Sequence, residues 1–267
     1  MKLLDITAIE PFLMPAGRTS SAIGPRLLEG LVRLGSLHDV ATSLGVEEDL
    51  AWNYLVAANN LSDSPLVKPL AETLTPTLHG RRLLGRSEDM TSAFQSFLDA
   101  PGGGAFRQFQ LRHQFLQRLG ARTSARNQFY CRVLSVRRER VNAVVMLGLG
   151  GGDKLAAHIT AHSAEELALV GGRCCHALID PGWVEVRSGT QSEETMRHNC
   201  LHGKVVRLLD DPVDAEVAIE LAGGRIVLAA MTQAEMTEKH IRVGEPVCAV
   251  IQSSQIILAV DQPPASR

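Results

Sequence analysis

The stretch Val213-Asp214-Ala215-Glu216-Val217-Ala218-Ile219-Glu220-Leu221 decides the fold. Ala215, Val217, Ile219 and Leu221 point one way; Asp214, Glu216, Ala218 and Glu220 point the other. A period of two marks a half-buried strand. Gly223-Gly224 then makes a hairpin-type turn into Ile226-Val227-Leu228-Ala229-Ala230. The same pattern stands 72 residues earlier: Asn127 falls on Asn199, Val141, Ala143 and Val145 on Val213, Ala215 and Val217, Gly151-Gly152 on Gly223-Gly224, Thr160 on Thr232, and Ala177 and Ile179 on Ala249 and Ile251. The offset runs without a gap for about sixty residues, so the second half of the chain is a duplication. Two copies make paired small domains rather than a solenoid.

Within the first copy, Val144 and Met146 make the second face of the strand apolar as well, and a strand apolar on both faces is often covered by a partner. Ser163-Ala164-Glu165-Glu166-Leu167 reads as a capped helical turn starting at Ser163. Cys174 to Ile179 and Pro246 to Ile251 read as closing strands, followed by Trp183-Val184 and Ile256-Ile257-Leu258. Five short strands and one helical turn in about seventy residues indicate a small OB-like barrel. The expected fold class is therefore α+β and multidomain, with two OB-like β-barrels following a mostly helical N-terminal part.

Composition sets the outer limits. Hydrophobic residues make up 45% and aromatics 4%, so the cores rest on Leu, Val, Ile and Ala. No apolar run reaches the ~18 residues of a membrane span. Residues 1–15 lack the basic-then-apolar pattern of a signal peptide. Five cysteines, an odd number, do not read as a disulfide framework, so a reducing cytoplasm is expected. Net charge is −2, and residues 1–122 carry twelve basic and twelve acidic side chains. The charge total gives no support to nucleic-acid binding, which must rest on motif.

The N-terminal part spans residues 1–100. Arg26 to Leu34 reads as a helix carrying Leu27, Leu28, Leu31 and Leu34. Gly35 ends it and Ser36 caps a second short helix, Leu37 to Leu44, which stops at Gly45. A third helix follows Val46 and runs to about Leu61, with extended segments at Leu66–Leu70 and Thr73–Leu74. Short helix, glycine turn, longer helix is the helix-turn-helix pattern. A long helix then carries Leu83, Met90, Phe94 and Phe97; it packs either on its own domain or against its copy in a homodimer. Pro101-Gly102-Gly103-Gly104 is a flexible break. It opens a joint, 101–122, with a short amphipathic helix between Phe106 and Leu119. The repeats occupy 123–190 and 195–262.

Residues 27–83 resemble the winged helix-turn-helix domain of the molybdate-dependent transcriptional regulators, the ModE family. The match is carried by Leu27-Leu28, Gly35-Ser36-Leu37, Leu44-Gly45-Val46, Ala51-Trp52, Asn60-Leu61-Ser62, Leu74-Thr75 and Gly80-Arg81-Arg82-Leu83. The repeat resembles the Mop, or TOBE, domain through Ser124-Ala125-Arg126-Asn127-Gln128, Val141-Asn142-Ala143, Gly151-Gly152, Ile159-Thr160 with Ser163, and Cys175-His176-Ala177-Leu178-Ile179. The resemblance implies a homodimer that binds operator DNA through the winged helix. It also implies molybdate or tungstate binding as the oxyanion at the tandem, or di-Mop, interface. Operator contacts would come from Arg33, Asn53, Lys68, Arg81 and Arg82, and anion contacts from Ser124, Ala125, Arg126, Thr160 and Ser163. The recognition helix departs from expectation. It opens with Glu47-Glu48-Asp49, and no Lys or Arg occurs between Arg33 and Lys68. Acids there read as favourable capping of a solvated helix, and they would repel phosphate.

The residue types suit the anion. A tetrahedral dianion presents only acceptor oxygens, so it wants hydroxyls, N–H groups and a cation, and no carboxylate. On the residues alone, the plainer reading is that Ser124 and Arg126 begin a strand and pair with surface acids. Asp180 stands where the family usually has Lys; facing the anion it would be prohibitive, so it is expected either to point away, turned by Pro181-Gly182, or to mark an altered site. In the second copy Met196, His198, Glu235 and Gln252 replace Ser124, Arg126, Ser163 and the Lys position, and that copy reads as scaffold.

Other signals fail. Gly148-Leu149-Gly150-Gly151-Gly152-Asp153-Lys154 lacks the residues of a phosphate-binding loop and reads as a turn. His158 with His162, and His198 with Cys200 and His202, are spaced for one face of a strand but offer too few ligands for a metal, and no metal site is expected. Cys174-Cys175 reads as packing. No nucleophile–base set stands out, so an enzyme is not expected. Three readings stay open: a molybdate-sensing regulator; an oxyanion carrier or buffer without DNA binding; and an assembly protein with an inactivated site.

Overall fold

A computed structural model describes residues 23–70, 73–84, 125–189 and 197–260. Three helices open it: α1 (Ile23–Leu34), α2 (Leu37–Leu44) and α3 (Glu48–Leu61). Ser36 caps α2, its side chain accepting from the Asp39 N–H, and Gly45 ends α2 at φ 66°. A hairpin of β1 (Val67–Leu70) and β2 (Thr73–Pro76) follows, and a helical stretch is described over 78–84. Most of the helix expected from Leu83 to Phe97, the amphipathic joint helix and Ser124 lie outside the described residues.

The duplicated half forms two curled, five-stranded antiparallel sheets. The first copy supplies β3 (Asn127–Arg138), β4 (Asn142–Gly150), β5 (Asp153–Thr160), α4 (Ala161–Glu166), β6 (Cys174–Ile179) and β7 (Val184–Ser188). The second supplies β8 (His198–Asp210), β9 (Asp214–Leu221), β10 (Ile226–Thr232), α5 (Gln233–Glu238), β11 (Pro246–Gln252) and β12 (Ile257–Ala259). Ala215, Val217, Ile219 and Leu221 are buried and Asp214 is exposed, but Ala218, on the face read as outward, is buried as well because the helices cover it. Both long first strands carry an irregularity at the same repeat position, between Val133 and Ser135 and between Val205 and Arg207. Such bulges raise local twist and bend the sheet. The Gly148–Lys154 run is the β4–β5 hairpin turn, as expected.

The copies exchange their last strands. The sheets order as β12-β6-β3-β4-β5 and β10-β9-β8-β11-β7. Thus β7, from the first copy, pairs with β11 of the second, and β12, from the second, pairs with β6 of the first. Phe129, Val145, Leu147 and Leu155 of one copy and Val205, Val217, Ile219 and Val227 of the other share one continuous core.

Two buried asparagines bridge the sheets reciprocally. Asn127 donates to the Leu228 carbonyl at 2.8 Å and accepts from the Leu228 N–H at 2.7 Å. Asn199 does the same to Ala156, at 3.0 and 2.6 Å. Both partners lie on the third strand of the opposite copy, and 156 and 228 are themselves 72 apart. The two hairpin turns also meet. The Gly223 N–H donates to Asp153 Oδ2 at 2.9 Å, and a Cβ on Gly151, which sits at φ +62°, would collide with the Gly223 backbone.

Two local expectations are corrected. The helical turn starts earlier than Ser163, because Thr160 is the cap residue of α4. His158 lies on β5 and His162 on α4, so they do not share a strand face. Asn127→Ala is expected to orphan a buried N–H and a buried carbonyl, each costing about 1–3 kcal/mol. A urea-unfolding series checks it, and Asn199→Ala should fall by a similar amount.

Candidate functional site

Arg126 immediately precedes β3, and the Asn127 bridge holds that end of the strand against β10. Its guanidinium meets only oxygen. Nη1 pairs with Glu216 Oε2, Nη2 donates to Glu216 Oε1 at 3.2 Å, and Nη2 also donates to Asn53 Oδ1 at 2.6 Å. The sequence reading of a pair with a surface acid is met, but the acid lies on β9 of the other copy and the second acceptor on α3. An anion-contact candidate and an operator-contact candidate are thereby hydrogen-bonded to each other.

Thr160 and Ser163 form a hydroxyl pair. Thr160 Oγ1 accepts from the Ser163 N–H at 3.0 Å and lies 2.8 Å from Ser163 Oγ. The cap therefore takes one helix N–H, and both hydroxyls stand at the exposed start of α4. Arg126 bonds to Glu216 and Asn53 rather than to this pair. At the equivalent place in the second copy Thr232 caps α5, and Glu235 bonds back to the Thr232 N–H at 2.9 Å. Those bonds hold the Glu235 carboxyl below its usual range.

Asp180 is engaged locally by the Pro181-Gly182 turn that follows it. It caps the 3-10 turn Pro181–Trp183, with Oδ1 accepting from the Gly182 N–H at 2.9 Å. In the second copy, His198, Glu235 and Gln252 line one cavity of about 310 Å³ together with Trp183, the exchanged strand β7 and Lys239. These are the repeat equivalents of Arg126, Ser163 and Asp180. The curl of the sheet therefore gathers these three repeat positions in space, although they are far apart in sequence.

Helix α3 is docked on the outer face of the second sheet. Asp49 pairs with Arg207, whose guanidinium lies 4.8 Å from the Trp52 ring centroid. Asn59 donates to the Gly224 carbonyl at 2.8 Å. Asn60 exchanges two bonds with Ile226, at 2.6 and 3.0 Å. Arg225, 2% exposed, donates to the carbonyls of Asn59, Ser62 and Leu149. Burial lowers its pKa, and the C-terminal carbonyls of α3 offset part of that cost. Leu27, Trp52, Leu55 and Val56 share a core with Val206, Ala218, Ile226 and Leu228. The acidic start of α3 is thus not simple capping: Glu47 makes no cap bond, Glu48 meets His38 at 3.0 Å, and Asp49 serves the docking. Arg33, Lys68, Arg81 and Arg82 are exposed.

Sequence reading missed Glu216, Arg207 and Arg225. Their signal was available in the repeat itself, where the first copy has Val144, Ser135 and Asp153 at those positions. Cys131 and Cys175 face each other across β3 and β6. Burial pushes the Cys175 thiol up to about 11 and raises Cys131 further, consistent with packing. Among the described residues no cluster is arranged to hold a metal ion and no helix is long and apolar enough to cross a membrane.

Comparison with known proteins bears on the same residues. The TOBE domain family matches residues 123–186 and 197–258. The chain is 32% identical to the molybdenum-pterin-binding protein MopB of Rhodobacter capsulatus, over 91% of this chain and 92% of that protein. It is 24% identical to the DNA-binding transcriptional dual regulator ModE of Escherichia coli K12, over 87% and 90%. A crystal structure of the cytoplasmic molybdate-binding protein ModG with molybdate bound aligns at TM-score 0.50 and 35% identity, covering 53% of this chain and all of that one.

Thr160→Ala removes the cap of α4 and one of its two hydroxyls. The expected loss is about 1 kcal/mol, read from the thermal midpoint, and Thr232→Ala should cost at least as much because it also breaks a reciprocal cap.

Proposed function

Since the chain belongs to the molybdenum-binding family that includes the ModE and Mop proteins, we propose that it binds molybdate or tungstate as the oxyanion and acts as a dimeric, molybdate-responsive transcriptional regulator. The observation that carries the anion reading is the Arg126 guanidinium, held at the junction of the two copies and already gripping acceptor oxygens. A fixed, planar, permanently charged donor suits a tetrahedral dianion. The hydroxyl pair Thr160 and Ser163 stands ready at the equivalent of a cavity-lining position. Ser124 and the Ala125 backbone complete the proposed set. The Gly182 N–H engages one carboxylate oxygen of Asp180, which supports the reading that this acid is turned aside from the anion. The operator reading is supported by three helices and a hairpin in winged-helix order, with Arg33, Lys68, Arg81 and Arg82 on the surface.

A second reading, an oxyanion carrier or buffer without DNA binding, is favoured by one observation. Of the residues in α3, Glu48 and Leu50 alone are exposed, because the sheet covers the face a groove would receive.

Calorimetric titration with molybdate, using sulfate as control, tests the anion site. Arg126→Ala should weaken molybdate about 10- to 100-fold, the loss of one or two charge-assisted hydrogen bonds; unchanged affinity would remove Arg126 from the site. A mobility-shift assay with an operator fragment at physiological salt, with and without molybdate, separates regulator from carrier.

A further inference from the structure

We infer that Glu216 and Asn53 compete with the oxyanion for Arg126, so that Arg126 latches α3 onto the second sheet and anion binding releases it. This inference rests on the anion reading of Arg126 given above.

Arg126 receives three acceptor oxygens, two from the Glu216 carboxylate and one from the Asn53 amide. A metal-oxide dianion likewise offers acceptor oxygens only, with the charge that Glu216 supplies here. One guanidinium has five N–H donors in a rigid fork, and those facing Glu216 and Asn53 are already committed. The dianion and this acid–amide pair therefore compete for one donor set.

The repeat shows that the arrangement is one-sided. Arg126 corresponds to His198, and Glu216 corresponds to Val144. Two-fold copies of one unit would place an acid–guanidinium pair on both sides of the pseudo-axis, and this chain has it on one side. That side is where α3 docks. Asn53 belongs to the same helix as Asp49, Trp52, Asn59 and Asn60, all of which touch the second sheet. The guanidinium thus joins three bodies: the first copy by covalent linkage, the second through Glu216, and the helical part through Asn53.

Reciprocity follows. If an anion on Arg126 excludes Glu216 and Asn53, it must loosen the docking of α3, and loosening that docking must tighten the anion by the same factor. The remaining contacts of α3 hold it near the sheet, so the response is a raised local opening, with the Asn53 side chain freed at the helix surface.

The test uses the full-length protein, with molybdate as the probe. Glu216→Gln removes the competing charge while keeping the size. It should tighten molybdate about three- to fivefold, the range expected of a partly exposed ion pair. Hydrogen exchange of the amides in 48–61 should rise on saturation with molybdate in the parent protein, and should already be raised in Glu216→Gln without it. Asn53→Ala, which leaves all charges in place, should raise exchange in the same segment and tighten molybdate more weakly. Arg126→Ala should raise exchange while losing molybdate. If the parent binds molybdate but Glu216→Gln leaves affinity unchanged or weaker, or the 48–61 amides do not respond, the latch is overturned and the anion site stands. If the parent does not bind molybdate, the anion reading fails and the latch loses its trigger with it.

Discussion

A carboxamide that bonds like a strand holds the architecture together. Asn127 and Asn199 each present one donor and one acceptor to a single residue of the opposite copy, satisfying a buried N–H and a buried carbonyl at once. No other side chain of that size carries both groups in the needed plane. The bridges set how the sheets sit, and the sheets in turn set where Arg126 emerges and where the 3-10 turns carry the chain across. The exchange of β7 and β12 follows the same symmetry.

The outer faces of the two sheets have diverged while the inner faces have not. Inside, Ala143, Val145 and Leu147 answer Ala215, Val217 and Ile219. Outside, the bulged residue of the first sheet, Leu134, is 46% exposed, whereas its equivalent Val206 lies beneath the helices at 7%. Around Val206 the second sheet also carries Arg207, Glu216 and Arg225, and each meets α3, its flank or the strand end beside it. One duplicated surface has become a seat for the helical part, and the changes that made it are mostly charged.

Much of this was legible in the sequence. Strand period, hairpin glycines and the 72-residue offset depend on local pattern, and local pattern survives into the structure. The strand exchange was not legible, because β7 satisfies the same alternation whether it pairs with β6 or β11. Ser163 was misread as a cap because Thr160, three residues earlier, offers the same hydroxyl; only backbone geometry chooses between them. For Asp180 the sequence left two alternatives, turned aside or marking an altered site; Pro181-Gly182 gives its carboxylate a near N–H, the local bond the first alternative called for. The partners of Arg126 lie 73 and 90 residues away in the chain, and nothing local announces them.

The crossed strands also order events at birth. On the ribosome the first sheet emerges with β6 lacking the neighbour it will finally have, because β12 is made about eighty residues later. Until then β6 presents an open edge, the kind that invites foreign pairing. The final residues of the barrel pair are thus a clasp for its beginning, and a chain cut short after Gln252 would leave the earlier half, not the later one, with its seam undone.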